Sequence, residues 1–123
     1  MKAIKISTNN IISLVDVPEN GEPLYKQIQS AIEGYSEYTY PARLPKGYVM
    51  IINDEAKLIG LPLNMIGSFL YASELHGDPI VGNAFIVKLG TYCGESDVVG
   101  IPDDEANDLM NKLTRIVLNL KGD

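Results

Sequence analysis

The chain has 123 residues, 46% of them hydrophobic and 21% charged, with a mean hydropathy near zero. That balance describes one globular domain, too apolar for a disordered chain and long enough to bury a core without disulfides or metal. A single cysteine and a single histidine exclude an internal disulfide and a Cys/His zinc site, and ten scattered basic residues against sixteen acids give a charge of −6, with no basic run to bind nucleic acid directly.

Residues 2–7 and 11–17 are short β-prone runs around Thr8-Asn9-Asn10. Asparagine tolerates the left-handed backbone of a tight turn, so the pattern predicts an N-terminal hairpin. The alternation of Lys2 and Lys5 with apolar residues leaves no continuous apolar core for a secretion signal. Val17-Pro18-Glu19-Asn20-Gly21 breaks the pattern. Leu24, Ile28, Ala31 and Ile32 then form one apolar stripe, which predicts a helix of about three turns ending at Gly34.

Residues 35–43 are aromatic and β-prone, with Tyr35, Tyr38 and Tyr40 among polar neighbours. Leu44-Pro45-Lys46-Gly47 makes a turn, and residues 48–52 read as a buried strand. Asn53-Asp54-Glu55-Ala56 turns the chain back into Lys57-Leu58-Ile59, which reads as the second strand of a hairpin. Asn64 is the expected N-cap of a helix over residues 65–75, where Glu74 is the one charge. A helix so apolar belongs in the core or under a partner, and the core reading is preferred. Residues 58–73 are the longest uncharged stretch. Pro62, Asn64 and two glycines interrupt it, and it is shorter than the roughly 20 apolar residues of a membrane span. The expected location is cytoplasmic, where a lone thiol is ordinary.

His76-Gly77-Asp78-Pro79 ends that helix. Residues 80–81 and 84–89 are strand-like, and residues 90–100 read as a loop. The last helix begins near Asp103 or Asp104 as cap, with Leu109, Leu113, Ile116, Val117 and Leu120 on its apolar face. Lys112, Arg115 and Lys121 lie toward its end, which complements the helix dipole. The expectation is a single α+β domain over residues 1–123: a mostly antiparallel sheet of about six short strands with three helices.

Few residues offer chemistry. His76 lies at a helix end with no G-x-S-x-G or similar nucleophile motif to serve. Cys93 has Glu95 nearby and no base, which disfavours its thiolate. Neither phosphate-binding glycine motif occurs. Asp103-Asp104-Glu105 lacks the spacing of a calcium loop and reads as the start of a helix. No metal or cofactor is expected. Tyr35, Tyr38 and Tyr40 with Tyr48 are read as cross-strand pairs or, less favoured, as a stacking surface.

The stretch from Val49 through Asp54-Glu55 to Leu61-Pro62-Leu63-Asn64, continued by Asp78-Pro79-Ile80-Val81-Gly82-Asn83-Ala84, resembles the family called domain of unknown function 3846. The resemblance covers most of residues 1–90; the acidic loop and helix of residues 91–123 lie outside it. It implies a fold relationship and the setting of a phage or other mobile element, with no activity attached.

Three functional expectations follow. The first is a non-enzymatic accessory protein that meets a basic protein surface through Glu95, Asp97, Asp103, Asp104, Glu105 and Asp108, a window without Lys or Arg that carries the whole net charge. The second is a small-ligand, nucleotide-like binding module built from Asp54, Asn64 and Asp78 with Tyr38, Tyr40 and Tyr48 as a wall. The weakest is an enzyme working on carboxylates alone, with Asp54, Glu55 and Asp78 as acid and base. The apolar helix and the sheet edges also offer surfaces for a homodimer.

Overall fold

The computed structural model describes residues 1–17, 24–32, 35–92 and 94–121. Strands β1 (Lys2–Ile6) and β2 (Ile12–Asp16) form the expected hairpin, with Asn10 in the left-handed region at φ 67°. Helix α1 (Leu24–Ile32) follows, then β3 (Ser36–Thr39) and β4 (Tyr48–Asn53). Helices α2 (Met65–Tyr71) and α3 (Ser73–His76) precede β5 (Ala84–Tyr92), β6 (Glu95–Val99) and the long α4 (Asp103–Lys121). All pairings are antiparallel. The order is β2-β1-β5-β4-β3, with β6 also on β5. The α+β class and the antiparallel sheet of six strands are as expected.

The sheet is covered on both faces, which is why Val49 to Ile52 are buried without alternation. Ala3, Val49, Ile51, Phe85 and Val87 pack against Leu24, Ile28 and Ile32 of α1. Ile4, Ile6, Met50, Ile52 and Ile86 pack on the other face against Ile66 and Leu70 of α2 and Ala106, Leu109, Leu113 and Val117 of α4. Of the two predicted stripes, Ala31 and Leu120 are the exposed members.

Strand β5 organises the sheet. One edge pairs β4 from Tyr48↔Lys88 to Ile51↔Phe85. The other edge is shared: Ala84, Phe85 and Ile86 pair β1, and Lys88 to Tyr92 pair β6. A bridge between Lys2 and Ile101 joins the two partners.

Four expectations need correction. Residues 57–59 are not a strand, because β4 already has β3 and β5 on its two edges. Instead the Asn53 side chain accepts from Glu55 N at 2.8 Å and donates to Ile32 O at 3.0 Å, which bends the chain as it leaves β4. Bonds from Ala56 N to Asn53 O, Ile59 N to Glu55 O and Leu61 N to Ala56 O then coil residues 53–61. The helix over residues 65–75 is two helices, broken at Ala72 with φ 61° and ψ 46°. Residues 90–92 and 95–99, expected in a loop, are strand: they are the paired ends of β5 and β6. Residues 80–81 contribute only a bridge from Leu63 to Val81. The break in the β-prone pattern at residues 18–21, the helix end at Gly34 and the Cys93 thiol lie outside the described residues, as does the His76 side chain.

Candidate functional site

Asn64 is the expected N-cap, and it does more than cap. Its Oδ1 accepts from Gly67 N at 2.8 Å, which satisfies one of the orphan donors at the start of α2. Its Nδ2 donates to Ile6 O and to Gly82 O, each at 2.9 Å. Its backbone N donates to Ile80 O at 2.8 Å, and Gly82 N donates to Pro62 O at 2.8 Å. One fully buried amide thus ties the end of β1, the start of α2 and residues 80–82 together. Ser68 strengthens the joint, accepting from Ile80 N at 2.9 Å and donating to Ile80 O at 3.2 Å. Glycine suits two positions here. Gly82 sits at φ +79°, and a Cβ on Gly67 would lie 3.1 Å from the Asn64 amide.

Beside the clamp, residues 58–65 form a ridge in the chain on which four apolar residues are exposed. Leu58 is 87% exposed, Ile59 58%, Leu63 54% and Met65 41%. Leu61, between them, is half-buried. The ridge is therefore held by hydrogen-bonded turns on one side and by the Asn64 clamp on the other. Beside it, Glu37, Thr39, Asn53, Asp54, Lys57, Tyr71 and Asp78 line a groove of about 210 Å³. Lys57 pairs with Asp78. Asp54 and Asp78 share this groove, yet among the described residues no three His, Cys, Asp or Glu side chains gather closely enough to hold a metal ion.

At the opposite end of β4, Tyr48 Oη donates to Glu105 Oε2 at 2.6 Å, and Lys88 Nζ donates to Glu105 Oε1 at 2.7 Å. The Lys88 ammonium and the Tyr48 hydroxyl hold the Glu105 carboxyl below the usual carboxylate range. Partial burial, with the carboxylate beside it, pushes the Tyr48 phenol up to about 12.

A scan of family models matches residues 1–114 to the family described as Domain of unknown function (DUF3846). The chain belongs to this family. No curated protein and no solved structure matches it. The match runs past the motif residues quoted above and into α4.

Within this DUF3846 domain the expected ligand residues separate. Asp54 and Asp78 line the groove. Asn64 is buried in the clamp with its side-chain amide fully engaged, so it offers nothing to a ligand. Tyr48 belongs to the far end with Glu105. There it shares with Tyr40, Pro45 and Leu89 a second, more apolar groove of about 420 Å³. Tyr38 pairs with Ile51, on the α1 face of the sheet.

The acidic window separates as well. Glu105 is bound by Lys88 and Tyr48. The Asp103 carboxylate lies 3.0 Å from the Met1 amino group, and Asp97 Oδ1 accepts from Val98 N at 2.7 Å. Asp104 and Asp108 stay exposed on α4, and Glu95 lies on β6. Asp103 and Asp104 fall inside the first turn rather than at its cap, because the Pro102 carbonyl already accepts from Ala106 N at 2.8 Å. Sequence reasoning passed over the ridge. Its signal was the uncharged run 58–73, weighed as a membrane span and, from residue 65 on, as a core or partner-covered helix; no described helix is long and apolar enough to cross a membrane.

Proposed function

We propose that this chain is a non-enzymatic accessory protein of the phage or mobile-element type, and that it docks a protein partner through the ridge formed by Leu58, Ile59, Leu63 and Met65. One observation carries the reading: four large apolar side chains stand in water on a backbone that the Asn64 clamp and the turns of residues 53–61 already fix. Clustered exposed apolar groups mark interaction surfaces. A surface ordered before binding loses little conformational entropy when the partner arrives, so more of its burial appears as affinity. Glu37, Asp54, Glu55 and Asp78 beside the ridge, on a chain of charge −6, favour a partner whose apolar cleft is rimmed by basic residues.

The test begins with a photo-crosslinking residue at position 58, which identifies the partner in cells. Affinity of that purified partner is then measured for the parent protein and for Leu58→Asp. Affinity should fall at least about tenfold, the effect of losing one central apolar contact. Thermal unfolding of the variant should stay put, because Leu58 is already exposed. Unchanged affinity would overturn the reading.

A further inference from the structure

We propose that the groove of about 420 Å³ at the Tyr48 end of the sheet is a ligand site for a small, flat aromatic carboxylate. Its walls include Tyr40, Pro41, Pro45, Tyr48 and Leu89, with buried Leu44 in the lining. The groove is formed before a ligand arrives. Two prolines fix their own φ angles. Leu44 N donates to Pro41 O at 2.9 Å, Arg43 N to Leu70 O at 3.1 Å, and Leu89 N to Gly47 O at 2.8 Å. The Tyr48 hydroxyl donates to Glu105, so a ligand meets the Tyr48 ring and not its proton. Small molecules use concave, largely apolar sites of this size with a few polar groups.

Size, surface and charge select the occupant. Benzene fills a cavity of roughly 150 Å³, so this groove has room for a fused two-ring molecule and a substituent. Tyr40 is 63% exposed and Leu89 47%, apolar surface that a planar ring covers with few torsions to freeze. Beside the groove, Lys88 and Glu105 neutralise each other at 2.7 Å. Lys46 lines the groove, is exposed, and has no ion pair among the described residues. The charge left for a ligand is therefore an ammonium, which binds a carboxylate and repels a cation. Tyr40 Oη, also without a partner among the described residues, adds a donor. An extended peptide is the poorer occupant. Pro41 and Pro45 carry no N–H, and the Pro41 and Gly47 carbonyls already accept, so a peptide backbone would find few partners.

The probe is 2-naphthoate, titrated into the ¹⁵N-labelled full chain. Amide shifts should move at residues 40–48 and at Leu89, and stay fixed at residues 58–65. Binding should weaken at least about tenfold with Tyr40→Ala. The uncharged 2-naphthamide should bind the parent protein more weakly than the acid, and Lys46→Gln should bind acid and amide alike. Both substituted side chains are exposed, so thermal unfolding should not change. Unmoved amides at millimolar probe, equal binding of acid and amide to the parent, or undiminished affinity in a normally folded Tyr40→Ala would each overturn the site. A proline-rich peptide that moves the same amides where naphthoate does not would overturn it in favour of a protein partner. The probe makes no use of residues 58–65, so its failure leaves the ridge reading standing.

Discussion

The two ends of the sheet are fastened to their helices by different chemistry. At one end a neutral amide, Asn64, is sealed from water and bonds Ile6, Gly67 and Gly82. At the other end, about 17 Å away along β4, an ionised carboxylate, Glu105, joins Tyr48 and Lys88 while roughly a third of each charged side chain remains in solvent. Water can replace a lost partner at the second end and cannot reach the first. The buried amide should therefore dictate geometry, whereas the ion pair adds a modest, pH-dependent increment. The ridge and the groove both sit at the end that dictates geometry.

The largest test of this contrast is Asn64→Ala. It strands the Ile6 and Gly82 carbonyls and the Gly67 N–H in a dry interior, at a cost of about 4 kcal/mol, and chemical denaturation measures it. Asn64→Asp should cost more still, because it aims an anion at two carbonyl oxygens. An Asn64→Ala variant no less stable than Glu105→Gln would mean the two ends are held alike.

Next in size is the ionised end. Glu105→Gln should lose about 1 kcal/mol at neutral pH. Because the folded state holds the Glu105 carboxyl down, its contribution is present above the ordinary carboxylate value of 4.5 and lost as pH falls through the lower folded value. Tyr48 acts in the opposite sense. Its folded value near 12 exceeds the ordinary 10.0, so its stabilisation is whole below pH 10.0 and declines as pH climbs toward 12. Absorbance titration should show a late-ionising phenol that is lost in Tyr48→Phe, and that variant should lack the Tyr48 share of the alkaline loss of stability. The smallest effect belongs to Lys57→Ala. Its pair with Asp78 is more than half exposed, and the change in denaturation midpoint should correspond to about 0.5 kcal/mol or less.

The elements that local pattern alone dictates were legible in the sequence: the hairpin around Asn10, the α1 stripe, the run 48–52, the Asn64 cap and the amphipathic α4. What sequence missed depended on distant partners. Residues 57–59 have β-prone side chains, but both edges of β4 were already taken by segments far along the chain. Residues 90–100 look like a loop because Gly90, Gly94 and Gly100 punctuate them. Even so, β5 continues through Gly90 and finds β6 on the edge that β1 leaves free. Ala72 adopts a left-handed backbone that alanine seldom visits, so nothing local announced the break between α2 and α3. For the site, the motif residue Asn64 was recognised as a cap and also assigned to a ligand. Its further partners, Ile6 and Gly82, come from segments that pattern cannot bring together. The acids of residues 95–108 were legible as charge, while their pairing with Lys88 and Met1 was not.

The shared edge of β5 also bears on the order in which the molecule assembles. Strands β5 and β6 are neighbours in the sequence, and β4 lies a few tens of residues upstream. The β1 partner in Ile4↔Ile86 stands across most of the chain. Closing so long a loop forfeits chain entropy before any contact returns it, which slows folding. The amino-terminal hairpin closes locally, but two strands alone are marginal in water and gain their stability on docking. Its docking onto β5 brings the Ile6 carbonyl to the Asn64 amide, so the bond that rigidifies the ridge is among the last to form.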